Sequence, residues 1–249
     1  MNNLQESVLL IDNSNTRTKL LLVSDEFRES ELVYIPTAEL TVSTLRQAVQ
    51  GMPYRLAIVS CVVPEKRQVF LEVLADACYF ISAELPCGID FQYEPISALG
   101  ADRVANAVAA AEYGLFPCVA IDAGTAITFD VVVQQGTRRV YKGGAIAPGL
   151  RAFTEYLHQC TAQLPEVSAE VGCKAIAQNT VDALKSGAIY GLCGLVREMI
   201  ARIEHELDTT VHVLLTGGDA ELICRALEAD FIVDPLLTLR GLLRVARHI

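Results

Sequence analysis

The 249-residue chain has no uncharged apolar run near the ~18 residues that a membrane-spanning helix needs. Its start, MNNLQESVLLID, carries no basic stretch ahead of the apolar one, and Asp12 cuts that run short. No export signal is therefore expected. Positive charge is scarce: 20 Lys and Arg stand against 30 Asp and Glu, a formal net charge of −10. A protein that tracks nucleic acid or lies on an anionic membrane carries the opposite balance, so neither partner is expected. A soluble cytoplasmic protein is. An anionic small molecule stays open to such a chain, if backbone N–H groups, bound cations and a few placed Lys or Arg hold it. None of the eight cysteines forms a C-x-x-C pair, and the four histidines are scattered. Disulfide and zinc frameworks are not expected; the cysteines read as buried, reduced thiols.

Hydrophobic residues make up 52% of the chain, enough for a sizeable core and too many for a disordered segment. Strands are expected at Val8–Asp12 and Lys19–Val23, joined by a turn at Asn13-Ser14-Asn15. Further strands are expected at Leu56–Val63 and Cys78–Ser82, with a helix from Pro64 to about Ala77 between them. An alanine-rich helix is expected over Gly100–Tyr113. The second half begins in the same way: Val119–Asp122, a turn at Ala123-Gly124, then Ile127–Val133. VLLIDNSNTRTKLLLV and VAIDAGTAITFDVVV thus echo each other, with the Ile-Asp pairs 110 residues apart. A long helix from Asn179 to about Glu206, a strand at Val211–Leu215, and helices from Asp219 and about Leu236 complete the pattern. A repeat of this kind predicts two related α/β domains, divided as 1–115 and 116–249, with a cleft between them. Tyr141–Pro148 is too glycine-rich for an ordinary strand and reads as a ligand-facing backbone surface or a tight crossover.

Asp12 and Asp122 each end an apolar strand at the mouth of a small-residue turn. Two such carboxylates suit cations that neutralise phosphate oxygens, and small turn residues let N–H groups approach a phosphate. For each turn alone, an Asp capping a turn is the commoner explanation. Together with Thr216-Gly217-Gly218 they match the layout of actin-like and sugar-kinase ATPases. Gly100-Ala101-Asp102-Arg103 opens a helix. There Asp102 can serve as a general base and Arg103 as a carboxylate clamp, or both can be ordinary helix-start residues.

The ordered set of motifs resembles the type III pantothenate kinases over nearly the whole chain. Asp12-Asn13-Ser14-Asn15-Thr16-Arg17-Thr18-Lys19 is similar to that family's first phosphate motif, and Asp122-Ala123-Gly124-Thr125-Ala126 to its second. Tyr93 with Gly100-Ala101-Asp102-Arg103 is similar to its pantothenate motif. Gly143–Leu150, Asn179-Thr180, Thr216-Gly217-Gly218 and Arg240-Gly241-Leu242 follow in family order. The resemblance implies two tandem ribonuclease H-like (actin-like ATPase) domains and ATP-dependent phosphorylation of pantothenate, the first step of coenzyme A biosynthesis. It implies that Asp12, Asn13, Ser14, Asn15, Thr16, Arg17, Thr18, Lys19 and Thr125 contact ATP, with Asp12 near Mg²⁺. Asp122 would hold a monovalent cation, K⁺ or NH₄⁺. Tyr93, Gly100, Ala101, Asp102 and Arg103 would bind pantothenate, and Asp102 would take its hydroxyl proton. Thr180 would reach pantothenate from the partner subunit of a homodimer.

Ser14 stands where the family usually has glycine. A left-handed backbone there would strain a serine by about 1 kcal/mol or more. Ala177 likewise replaces a glycine ahead of Asn179-Thr180. Another actin-like small-molecule kinase, or a nucleotide-binding regulator without turnover, is the alternative reading.

Overall fold

The computed structural model describes residues 7–23 and 31–249. Two compact units divide them. The first runs up to Gly114 and takes in Gln135–Lys142 and Leu236–Ile249; the second is Leu115–Gln134 with Gly143–Pro235.

In the first unit, β1 (Val8–Asn13) pairs antiparallel with β2 (Arg17–Val23) and parallel with β4 (Leu56–Cys61). With β3 (Val33–Pro36) and β5 (Cys78–Phe80) the sheet order is β3-β2-β1-β4-β5. Every residue of β1 is buried, which is why a central strand covered on both faces reads as one apolar run rather than an alternation. Leu9, Ile11, Leu20, Ala57 and Val59 point to one face, where they pack with Leu45 of α1 (Val42–Ala48) and Phe70 and Leu74 of α2 (Arg67–Leu74). Thr41 caps α1 in a reciprocal exchange with Thr44.

Against this sheet also pack α3 (Ala101–Glu112) and α8 (Leu237–Ala246). The two helices meet where α8 carries Gly241. A Cβ at that position would lie 2.6 Å from the carbonyl carbon of Ala105 and 2.9 Å from its Cα. Real side chains do not come so close to backbone, so only glycine permits the contact. A buried hydrogen bond of 2.8 Å from Thr238 Oγ1 to Asn106 Oδ1 joins the same helices. The division at 115/116 therefore needs correcting for α8. Its apolar stripe is buried on the first half's sheet, a pairing that chain order does not reveal.

The second unit repeats the first. β7 (Cys118–Ala123) pairs antiparallel with β8 (Ala126–Gln135) and parallel with β10 (His212–Thr216). β10 in turn pairs with β11 (Ile232–Val233), and β9 (Arg138–Pro148) follows β8. The order β11-β10-β7-β8-β9 is that of the first sheet with each strand replaced by its counterpart. Val119, Ile121, Phe129, Val213 and Leu215 form the core with α6 (Thr180–Leu207), α7 (Ala220–Leu227) and Leu150 of α4 (Leu150–Thr154). A short α5 (Tyr156–Cys160) follows α4. Asn179 caps α6 by accepting the Asp182 N–H at 2.9 Å, as its place before the apolar stripe predicts.

The glycine-rich segment is a strand after all. Gly143, at φ +104, lies within β9 and takes up backbone geometry other residues resist. In the first unit, the start of β9 pairs parallel with β6 (Asp90–Phe91), Phe91 opposite Tyr141. All eight cysteines are free, but only Cys87, Cys118 and Cys193 are buried and Cys160 is exposed.

Candidate functional site

In the first unit, Asp12 sits at the end of β1, buried, with Lys19 directly opposite on β2. Lys19 Nζ lies 3.5 Å from Asp12 Oδ2. Asn13 follows, fully buried; its amide donates to Thr18 Oγ1 at 2.8 Å, and the Cys61 thiol lies 3.2 Å from both its Oδ1 and the Val63 carbonyl. Ser14 closes the turn: its N–H and its hydroxyl both donate to the Arg17 carbonyl, at 3.0 and 2.9 Å. Among the described residues, the non-glycine positions with positive φ are Ala75, Asp208 and Glu228. Ser14 is not one of them, so the strain anticipated for a serine at a glycine position does not arise. The turn instead gains a hydroxyl bond across its mouth. Asn15, Thr16 and Arg17 are exposed at the tip.

Thr37, just after β3, supports this hairpin, and nothing in the sequence marks it. It is buried; its hydroxyl donates to the Ser14 carbonyl at 2.7 Å and lies 3.1 Å from Thr18 Oγ1. Its N–H donates to the Thr16 carbonyl at 3.0 Å.

The Tyr93 and Gly100–Arg103 motif is brought together within the same unit. Gly100 is the residue before α3, and Asp102 occupies the first turn, where unpaired N–H groups favour a carboxylate. Asp102 Oδ1 accepts the Arg103 N–H at 2.7 Å. A Cβ on Gly100 would come 2.7 Å from that same oxygen, so the glycine keeps room for the carboxylate. Burial pushes the Asp102 carboxyl above the usual carboxylate range, against the opposing pull of the Arg103 N–H and guanidinium. Arg103 is itself buried, with its guanidinium 5.9 Å from the Tyr93 ring centre. Tyr93 rests at 6.2 Å on Tyr141, which packs at 5.4 Å on Phe91. A buried cation, a carboxylate of raised affinity for protons and an aromatic wall thus share one place.

In the second unit, Asp122 ends β7 as Asp12 ends β1, opposite Thr128 on β8. Backbone from two other segments clamps the turn after it. Gly217, at φ +94, approaches so closely that a Cβ would lie 2.6 Å from both Asp122 Oδ1 and the Ala123 carbonyl carbon. Gly149 donates to the Thr125 carbonyl at 3.2 Å, and Asp219 to the Ala123 carbonyl at 3.0 Å. Burial raises the Asp219 carboxyl above its usual range, with Arg151 pulling it back down. Sequence reasoning noted Thr216-Gly217-Gly218 but passed over Asp219, the next residue. Thr180 begins α6 and is exposed.

No group of three or more His, Cys, Asp or Glu among the described residues is placed to hold a metal ion by itself. Single carboxylates such as Asp12 and Asp122 suit ions that take most of their ligands from phosphate and water. No helix among the described residues is long and apolar enough to cross a membrane.

Two sheets of the same order, each with an aspartate near the end of its first strand at a hairpin, define a fold of the actin-like class. Solved structures share the fold: a Campylobacter jejuni protein described as a Baf family transcriptional activator (TM-score 0.66, 21% identity, 96% of this chain and 97% of that one). Component A of (R)-2-hydroxyglutaryl-CoA dehydratase from Acidaminococcus fermentans does so too (TM-score 0.56, 13% identity, 97% and 96%). The family model for type III pantothenate kinase matches residues 8–202. Type III pantothenate kinases of Akkermansia muciniphila (44% identity, 94% of this chain and 96% of that one) and Rhodospirillum rubrum (36%, 97% and 98%) match over nearly their whole lengths. The chain belongs to the type III pantothenate kinase family, and it is a kinase.

Proposed function

We propose that the chain transfers the γ-phosphoryl group of ATP to the primary hydroxyl of pantothenate, giving 4'-phosphopantothenate for coenzyme A synthesis. The observation that carries this reading is the cluster of Asp102, Arg103 and Tyr93, with family membership behind it. Arg103 offers a planar fork for the pantothenate carboxylate, and its burial strengthens that pairing. Tyr93, held by Tyr141, bounds the substrate on its apolar side.

Asp102 accepts the hydroxyl proton as the oxygen attacks the γ-phosphorus and the bond to the ADP oxygen breaks. A carboxylate whose proton affinity is raised by burial is a better acceptor than one in water. In the first unit, the Asp12–Lys19 hairpin takes ATP phosphate: Lys19 supplies charge, and the exposed tip of Asn15, Thr16 and Arg17 supplies donors. In the second, Thr125 contacts ATP. Asp12 would hold Mg²⁺ and Asp122 a potassium or ammonium ion. Bound there, these ions neutralise phosphate charge that this acidic chain otherwise lacks the cations to meet. Thr180, exposed at the start of α6, is available to a second copy of the chain in a homodimer.

Asp102→Asn tests the assignment. The variant is expected to lose pantothenate-dependent turnover by about 10²–10⁴-fold while its affinity for ATP stays as in the wild type. Full activity in Asp102→Asn would remove the residue from catalysis.

A further inference from the structure

We infer that Thr37 is a positioning residue for the ATP-binding hairpin, acting through the backbone of its tip. The inference rests on the reading that Asp12–Lys19 binds ATP phosphate. Two observations make Thr37 more than a core residue. It is a buried hydroxyl 19 residues beyond Thr18 of the hairpin, and it bonds both limbs of the turn. Its hydroxyl donates to the carbonyl of Ser14 on the outgoing limb at 2.7 Å, and its N–H donates to the carbonyl of Thr16 on the tip at 3.0 Å.

The contacts also fix a direction. Because the Thr37 hydroxyl donates to Ser14, it is left to accept from Thr18 Oγ1 at 3.1 Å. Thr18 Oγ1 in turn accepts from the Asn13 amide at 2.8 Å. One ordered chain of hydrogen bonds therefore runs from the Asn13 amide at the base of the hairpin through Thr18 to Thr37 and into its tip. With the Ser14 and Thr16 carbonyls tied back to Thr37, the tip backbone holds one conformation. The residues left exposed there, Asn15, Thr16 and Arg17, are those offered to phosphate. Ordering the tip before ATP arrives removes an entropic cost from binding.

Thr37→Val keeps shape and removes the donor; Thr37→Ser keeps the donor. Thr37→Val is expected to raise KM for ATP about tenfold, the scale of a part-buried carbonyl losing its donor, with KM for pantothenate changed less than about twofold. Thr37→Ser is expected to restore KM for ATP to near the wild-type value. An unchanged KM for ATP in Thr37→Val overturns the inference. So do equal rises in both KM values that Thr37→Ser does not rescue, because that pattern marks a general packing defect. Calorimetric titration of the wild type with a non-hydrolysable ATP analogue separates the two claims. Binding by the wild type with Thr37→Val indistinguishable from it defeats the Thr37 role alone. No binding by the wild type, or binding unaltered by Lys19→Ala, defeats the hairpin's assignment to ATP and the inference with it.

Discussion

Gly241→Ala is a small change with a large expected effect. The added methyl would stand 2.6 Å from the Ala105 carbonyl carbon and 2.9 Å from its Cα, and closer still to the carbonyl oxygen. The obstacle is helical backbone, so it cannot rotate aside as a side chain would. α8 and α3 must separate, which loosens Leu242 and Val245 of α8 and stretches the Thr238–Asn106 bond of 2.8 Å. Overpacking of this kind costs about 2–3 kcal/mol. At roughly 2–4 °C per kcal/mol for chains of this size, the melting temperature should fall by about 4–12 °C. Ala105 lies one turn along α3 from Asp102, so the displacement also moves the proposed base. At a temperature where the variant is folded, kcat should drop by about tenfold or more, since misplacements near 1 Å carry penalties up to ~10²-fold. Differential scanning fluorimetry and steady-state kinetics on the same preparation read both effects. A variant that melts and turns over like the wild type would refute the close crossing of α3 and α8.

Other expectations follow from the same geometry. Burial raises the Asp102 carboxyl's pKa on folding, so its charged form destabilises the native chain. The stability that the raised value contributes is complete below the ordinary carboxylate range and lost as pH rises through the folded value. Asp102→Asn does not titrate, so it should melt above the wild type at neutral pH and lose that advantage in acid; a gap independent of pH would contradict the assigned burial. The acid limb of kcat should lie above an ordinary aspartate's, as a pH profile will show. Gly217→Ala forces a side chain onto φ +94 and against Asp122 and Ala123. It should cost about 2–4 kcal/mol and weaken ATP binding, as melting and titration calorimetry would report.

Much of the site is legible in the chain because local rules govern it. The hairpins after Asp12 and Asp122 follow from apolar runs broken by small polar turns, and α6 starts where Asn179 caps it. What escapes is decided by contacts distant in sequence. β9 is a strand despite its glycines because neighbouring strands supply the pairing that composition does not promise. α8 joins the first unit because Gly241 fits Ala105, 136 positions earlier in the numbering. Thr37 follows a proline in a segment with no motif, and only folding brings its hydroxyl to Ser14. Ser14 misleads for the opposite reason: a glycine position in a family motif suggests a left-handed backbone, whereas this turn is closed by the serine's own hydroxyl.

The most direct test of the account is ADP release from ATP and Mg²⁺, measured with and without pantothenate, in potassium and in sodium alone. The account predicts turnover that depends on pantothenate and on potassium. Folded protein that releases no ADP at saturating ATP, or releases it equally without pantothenate, would contradict the assignment of Asp102, Arg103 and Tyr93 to that substrate.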